Sequence, residues 1–149
     1  MRHSKRWLAT LGLLVALPLL SACTQTSVEA TGGEEPAKVE HVEGSKDISR
    51  LTLTPKAAER LGIETKPVIA GLVRGKPRTI IPYGAVLYDA NGDTWVYVNP
   101  EPLAYIREPV TVDFIERGQA VLSAGPPEGT AVVVVGAAEL YGTETGVGH

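Results

Sequence analysis

The sequence predicts a mainly β domain, a small barrel or roll with one short helix, carried behind a secretion signal and a flexible tether. Three observations predict it. Within residues 78–98, two β-rich runs, 85–88 and 94–98, flank Asp89-Ala90-Asn91-Gly92-Asp93. The Asn-Gly pair tolerates the positive φ of a tight turn, so the stretch reads as a hairpin. Residues 131–135 are Ala-Val-Val-Val-Val, an all-apolar run that suits a strand buried on both faces. Strand-like runs also recur at short spacing with Gly and Pro signals between them, as in small all-β folds.

In chain order, Arg2, Lys5 and Arg6 precede an apolar run from Trp7 to Leu20 broken only by Thr10, Gly12 and Pro18. About 14 residues falls short of the roughly 20 that span a bilayer, and the positive flank marks residues 1–22 as a secretion signal. The run ends Leu20-Ser21-Ala22-Cys23, which resembles the lipobox of bacterial lipoproteins. Cys23 is the only cysteine. It cannot form an intramolecular disulfide, and lipidation gives an exported thiol a use, so Cys23 is expected to become the lipidated first residue of the mature chain.

Cleavage before Cys23 would remove three of the 14 Lys and Arg residues and none of the 17 Asp and Glu, leaving a net charge of −6. An acidic surface argues against nucleic acid and against electrostatic docking on anionic lipids. Attachment then rests on acyl chains, each buried methylene contributing about 0.8 kcal/mol, and the expected location is the cell envelope, lipid-anchored and extracytoplasmic. Residues 23–46 have no aromatic side chain and no sustained apolar period, so they read as a disordered tether spanning on the order of 25 Å. His41 lies there beside Glu40 and Glu43 and reads as a solvated lone His, not as a metal ligand.

The folded domain is expected over residues 47–141. Ile48, Leu51 and Leu53 form an extended segment. Thr54-Pro55 presents an N-cap with Pro at the first helical position, and Gly62 closes a two-turn helix over Pro55–Leu61. Ala57, Ala58 and Leu61 fall on its inner side. A strand over 63–68 and a loop over 70–77 lead to the central hairpin. Asn99-Pro100-Glu101-Pro102 is expected to break the chain, because its two prolines remove ladder donors. A long strand over 105–116 follows, its first half an edge or bulge because of Pro109. Arg117-Gly118 turns into 120–123, Gly125 to Gly129 is a rigid loop, and one helical turn follows residue 135. Residues 142–149 read as a loose tail.

No His in the folded part is placed to activate a Ser or Thr nucleophile, and no set of three or four metal ligands is evident, so the sequence predicts neither an enzyme nor a cofactor or metal site. Asp89 to Asp93 carries oxygen ligands at alternate positions but lacks the downstream Glu of a calcium loop, and a turn accounts for it. Arg74, Lys76 and Arg78 make a basic cluster in an otherwise acidic chain, read as a solvated loop or as a surface for an acidic partner or lipid head groups.

Three stretches, 53–65, 81–98 and 127–140, resemble the periplasmic adaptor subunits of RND-type efflux systems, the membrane fusion proteins of the HlyD group. They carry Leu-Thr-Pro-Lys-Ala-Ala-Glu-Arg-Leu-Gly-Ile-Glu-Thr, Ile-Pro-Tyr-Gly-Ala-Val-Leu-Tyr-Asp with Trp-Val-Tyr-Val, and a Pro-Glu-Gly loop before the apolar run. The resemblance implies a membrane-proximal, permuted SH3-like domain that touches a transporter. Full adaptors also carry a coiled-coil hairpin, a lipoyl-like domain and a β-barrel. Between Val68 and Thr79 this chain has ten residues, too few for the hairpin, the lipoyl-like domain and most of the β-barrel. A lipid-anchored accessory of a transporter is therefore expected, or alternatively a free-standing lipoprotein that binds a small ligand, peptide or envelope polymer. The contact surface is expected on exposed side chains of the loops around 74–78 and 99–107, at Arg74, Lys76, Tyr105 and Arg107, since loops carry recognition and Arg and Tyr are enriched where interfaces gain their energy.

Overall fold

The computed structural model describes residues 35–45 and 47–146. The segment expected to be a secretion signal, Cys23, the expected tether as far as residue 34, and His149 lie outside the described residues. In chain order the strands and helices are β1 (Ala37–His41), β2 (Ser49–Leu53), α1 (Pro55–Leu61), β3 (Glu64–Pro67), β4 (Ile69–Val73), β5 (Lys76–Pro82), β6 (Leu87–Tyr88), β7 (Thr94–Glu101), β8 (Ala104–Pro109), β9 (Thr111–Glu116), β10 (Gln119–Ala124), β11 (Ala131–Val135) and α2 (Ala137–Thr145). The class is mainly β, as expected.

Two antiparallel sheets carry the fold. The larger runs β1-β2-β8-β7-β11-β3, with β6 paired to the first residues of β7, and the smaller runs β4-β5-β10-β9. Neither sheet closes into a barrel among the described residues. Strand alternation divides the apolar residues between two cores. Val96 and Val98 of β7 and Val132 of β11 join Ile81 of β5 and Leu122 of β10 in a core between the sheets. Tyr97 and Val133, one residue out of phase, turn to the opposite face and meet Leu51, Leu53, Tyr105, Ala137 and Leu140 beneath the helices. Val132 and Val133 are both fully buried, which is the two-faced burial that the run over 131–135 predicts. With helices covering the second face, the large sheet does not need to curl shut to hide it.

Local signals set α1. Thr54 Oγ1 accepts from the Ala57 N–H at 3.2 Å, Pro55 opens the helix, and Gly62 closes it at φ 62°. Ala57, Ala58 and Leu61 pack inward on the second core. The central hairpin also forms, with Leu87 opposite Trp95 and Tyr88 opposite Thr94. Its first strand is shorter than the expected run over 85–88, because Tyr83–Ala85 is a 3-10 turn in which the Val86 N–H donates to the Tyr83 carbonyl.

Five further expectations are corrected. Ala37–His41 belongs to the sheet and not to a disordered tether: it pairs with β2 from Ala37↔Leu53 to His41↔Ser49. The ladder satisfies its backbone, so it needs little apolar surface of its own. The loop over 70–77 is a hairpin of β4 and β5 whose two-residue turn holds Arg74 at φ 52° and Gly75 at φ 76°. Both angles suit the mirror-type turn that matches strand twist.

The strand over 105–116 breaks at Val110, and β8 is an inner strand, not an edge. Pro109 is tolerated because it pairs only with Trp95 and lies beyond the reach of β2. Residues 99–102 do not break the ladder; β7 continues to Glu101 across a register shift. There Asn99 Nδ2 donates to the carbonyls of Glu101 and Ala104 at 2.7 and 2.8 Å and replaces ladder bonds. The tail is helical through Thr145. No helix of the described residues is long and apolar enough to cross a membrane.

Candidate functional site

The four expected contact residues do not form one surface. Tyr105 and Arg107 share a face of β8, opposite Leu51 and Tyr97, and that face looks toward the helices. Both are buried, which corrects the expectation of exposed loop residues. Tyr105 belongs to the second core. Arg107 donates from Nε to Glu144 Oε2 at 3.1 Å and from Nη2 to the Asp47 carbonyl at 2.6 Å. Its guanidinium lies over the Trp95 ring at 4.4 Å and over the Tyr141 ring at 5.3 Å, where cation–π attraction supports a desolvated charge.

Glu144 completes the network. Its carboxylate also accepts from the Ser49 N–H at 2.9 Å and from the Tyr97 hydroxyl. Burial pushes the Tyr97 phenol far above its ordinary range, and its bond to Glu144 pushes the same way. Tyr97 therefore stays a neutral donor. With every ion and polar group matched, the cluster holds α2 against β2, β7 and β8.

Beside it opens a cleft of about 650 Å³ lined by His41, Asp89, Trp95, Arg107, Tyr141 and Glu144 among others. The Asp89 carboxylate there is already committed, accepting from the N–H groups of Asn91 and Asp93 at 2.8 and 2.9 Å and from Trp95 Nε1 at 3.1 Å. Those bonds are those of a turn. Among the described residues, no group of three or more His, Cys, Asp and Glu side chains is placed to hold a metal ion.

Arg74 and Lys76 are exposed at the tip of the β4–β5 hairpin. The Arg74 guanidinium lies 4.1 Å from the centre of the Phe114 ring, and Arg78 pairs with Asp113 at 3.4 Å. The register aligns Ile69, Ile80, Val121 and Phe114 in one row across all four strands of the smaller sheet, since directly paired residues share a face. Leu72, next to the turn, is 78% exposed. The tip thus sets two cations beside apolar surface, the side-chain types enriched where interfaces gain their energy.

A third feature is a largely apolar groove of about 750 Å³ between β1, α1 and α2, lined by Ala37, Val39, Leu53, Leu61 and Ala138 among others. Sequence reasoning missed Glu144, Tyr97 and Leu72 as site residues. Period-two alternation was the available signal for two of them: it puts Tyr97 on the face of Trp95 and isolates Leu72 as a large apolar residue in a Gly-flanked turn segment.

The chain matches no family model, no curated protein and no solved structure.

Proposed function

We propose that this chain is a lipid-anchored, non-catalytic accessory of a membrane efflux or transport system, held outside the cytoplasm by Cys23 and docked on the extracytoplasmic face of a transporter through the β4–β5 hairpin. The observation that carries it is the hairpin tip. By the resemblance to RND-type adaptors it lies where those proteins carry their bridging domains, and here a two-residue turn joins β4 to β5. The tip presents Leu72 in solvent beside Arg74 and Lys76. An exposed apolar side chain flanked by cations fits an acidic partner surface with an apolar centre.

The test is recovery from membranes. Tagged full-length protein, purified from detergent-solubilised membranes of its own cells, should bring down a transporter. The double variant Arg74→Glu/Lys76→Glu should lose it while keeping the wild-type melting temperature. Equal recovery by the double variant, or no transporter with the wild type, contradicts the proposal. Cys23→Ser should leave the membrane fraction, and unchanged partitioning would remove the anchor from the account.

The groove beneath β1 favours a second function, a free-standing lipoprotein that binds a small apolar ligand, peptide or envelope polymer. Filling it with Ala138→Trp would then abolish function, whereas the hairpin variants would not.

A further inference from the structure

Five strands keep an open edge among the described residues, and four of them are blunted against further pairing, β6 by being only two residues long. β1 carries Lys38 and Glu40, which pair at 2.8 Å. β3 is Glu64-Thr65-Lys66-Pro67, two charges and a proline. β9 carries Asp113 and Glu116, and its register against β10 shifts twice. Charges, prolines and bulges are the usual means of protecting an edge. β4 has none of them: it is Ile-Ala-Gly-Leu-Val, paired to β5 without a shift.

The turn fixes which backbone groups of β4 face outward. Val73 and Lys76 flank the two-residue turn and form its closing hydrogen-bonded pair. Alternation gives Gly71 and Ile69 the same bonding to β5, and leaves the N–H and C=O of Ala70 and Leu72 directed away from it. Pro77, which has no N–H, stands opposite Leu72, the position where no donor toward β4 is needed.

We propose that β4 takes up an extended segment of a partner protein by strand addition, a segment with apolar side chains at alternate positions and carboxylates at the end that meets Arg74 and Lys76. This rests on the hairpin being the docking surface, and it names what docks there. An added strand would satisfy the outward groups of Ala70 and Leu72. It would also continue the row formed by Ile69, Ile80, Val121 and Phe114 on one face and cover Leu72 on the other. The charge requirement comes from the tip: Arg74 and Lys76 form no ion pair among the described residues, so carboxylates complement them. In such complexes main-chain bonds supply affinity and alternate side chains supply specificity.

The test needs no known partner. A library of random short peptides is panned against the purified full-length protein in detergent. The selected peptides should alternate apolar residues, carry Asp or Glu at one end and weaken with added NaCl. Leu72→Pro removes an outward N–H where an edge tolerates proline, and should weaken their binding by about tenfold or more. Methylating alternate backbone nitrogens of the peptide should do the same with the protein untouched. Equal binding by Leu72→Pro and by the methylated peptides overturns the proposal, as does a pool without carboxylates. A dimer of the chain that Leu72→Pro dissolves overturns it in favour of a second copy. Transporter recovery unaffected by Leu72→Pro would overturn strand addition and leave the hairpin contact standing; the expected peptide binding with no transporter recovered would support strand addition and overturn the transporter assignment.

Discussion

Glu144, in the last turn of α2, is the ion partner of Arg107 in β8: Nε stands 3.1 Å from Oε2, and the side chains are 2% and 6% exposed. A carboxylate at a helix C-terminus is disfavoured by the helix dipole, so the contact exists because Arg107, Tyr97 and Ser49 all donate to it. Removing one member of a buried pair leaves the other uncompensated. Glu144→Ala should therefore cost about 3–5 kcal/mol, a large share of the roughly 5–15 kcal/mol that holds a domain folded. Glu144→Gln, which keeps an acceptor, should cost less. Urea denaturation measures both, and a loss under about 1 kcal/mol for the alanine variant would mean the network does not hold α2.

Asp89 gives the central turn a pH dependence. Burial raises its carboxyl, but the N–H groups of Asp93 and Asn91, the Trp95 indole and the Gly92 N–H outweigh burial and hold it below its ordinary value of 3.8. A depressed folded pKa means the stabilisation is present above the unfolded value and is lost as pH falls through the folded one. Trp95 fluorescence should thus shift below about pH 4. Asp89→Asn should flatten that step, and an unchanged step in the variant would assign it to another group.

Gly136 precedes α2 at φ 87°, and an added Cβ would collide with Ile63 Cδ1. Gly136→Ala should cost about 2–4 kcal/mol, from left-handed strain and overpacking together. Ile63→Val, which deletes the colliding methyl, should restore part of that loss in the double variant. No restoration would leave backbone strain as the whole effect.

The legible parts of this fold are those whose cause is local. The Thr54 cap, Pro55 and Gly62 sit within one short segment and set α1. Asn91-Gly92 sets a turn, and consecutive valines at 132 and 133 announce a strand with two buried faces. What was not legible depends on distant partners. Ala37–His41 reads as polar tether because its order comes from β2. Arg107 reads as a surface cation because its anion is 37 residues away, in a stretch that resembles a loose tail. Of the expected contact residues, Arg74 and Lys76 stayed exposed because a two-residue turn has no interior. Tyr105 and Arg107 did not, because β8 lies between two strands and beneath a helix.

The hairpin as docking surface is tested most directly in living cells, with a photo-reactive amino acid placed at Leu72 and, as a control, at the exposed Glu59 on α1. Irradiation should join the chain to a transporter from position 72 and not from position 59. No adduct from position 72, or equal adducts from both, would contradict it.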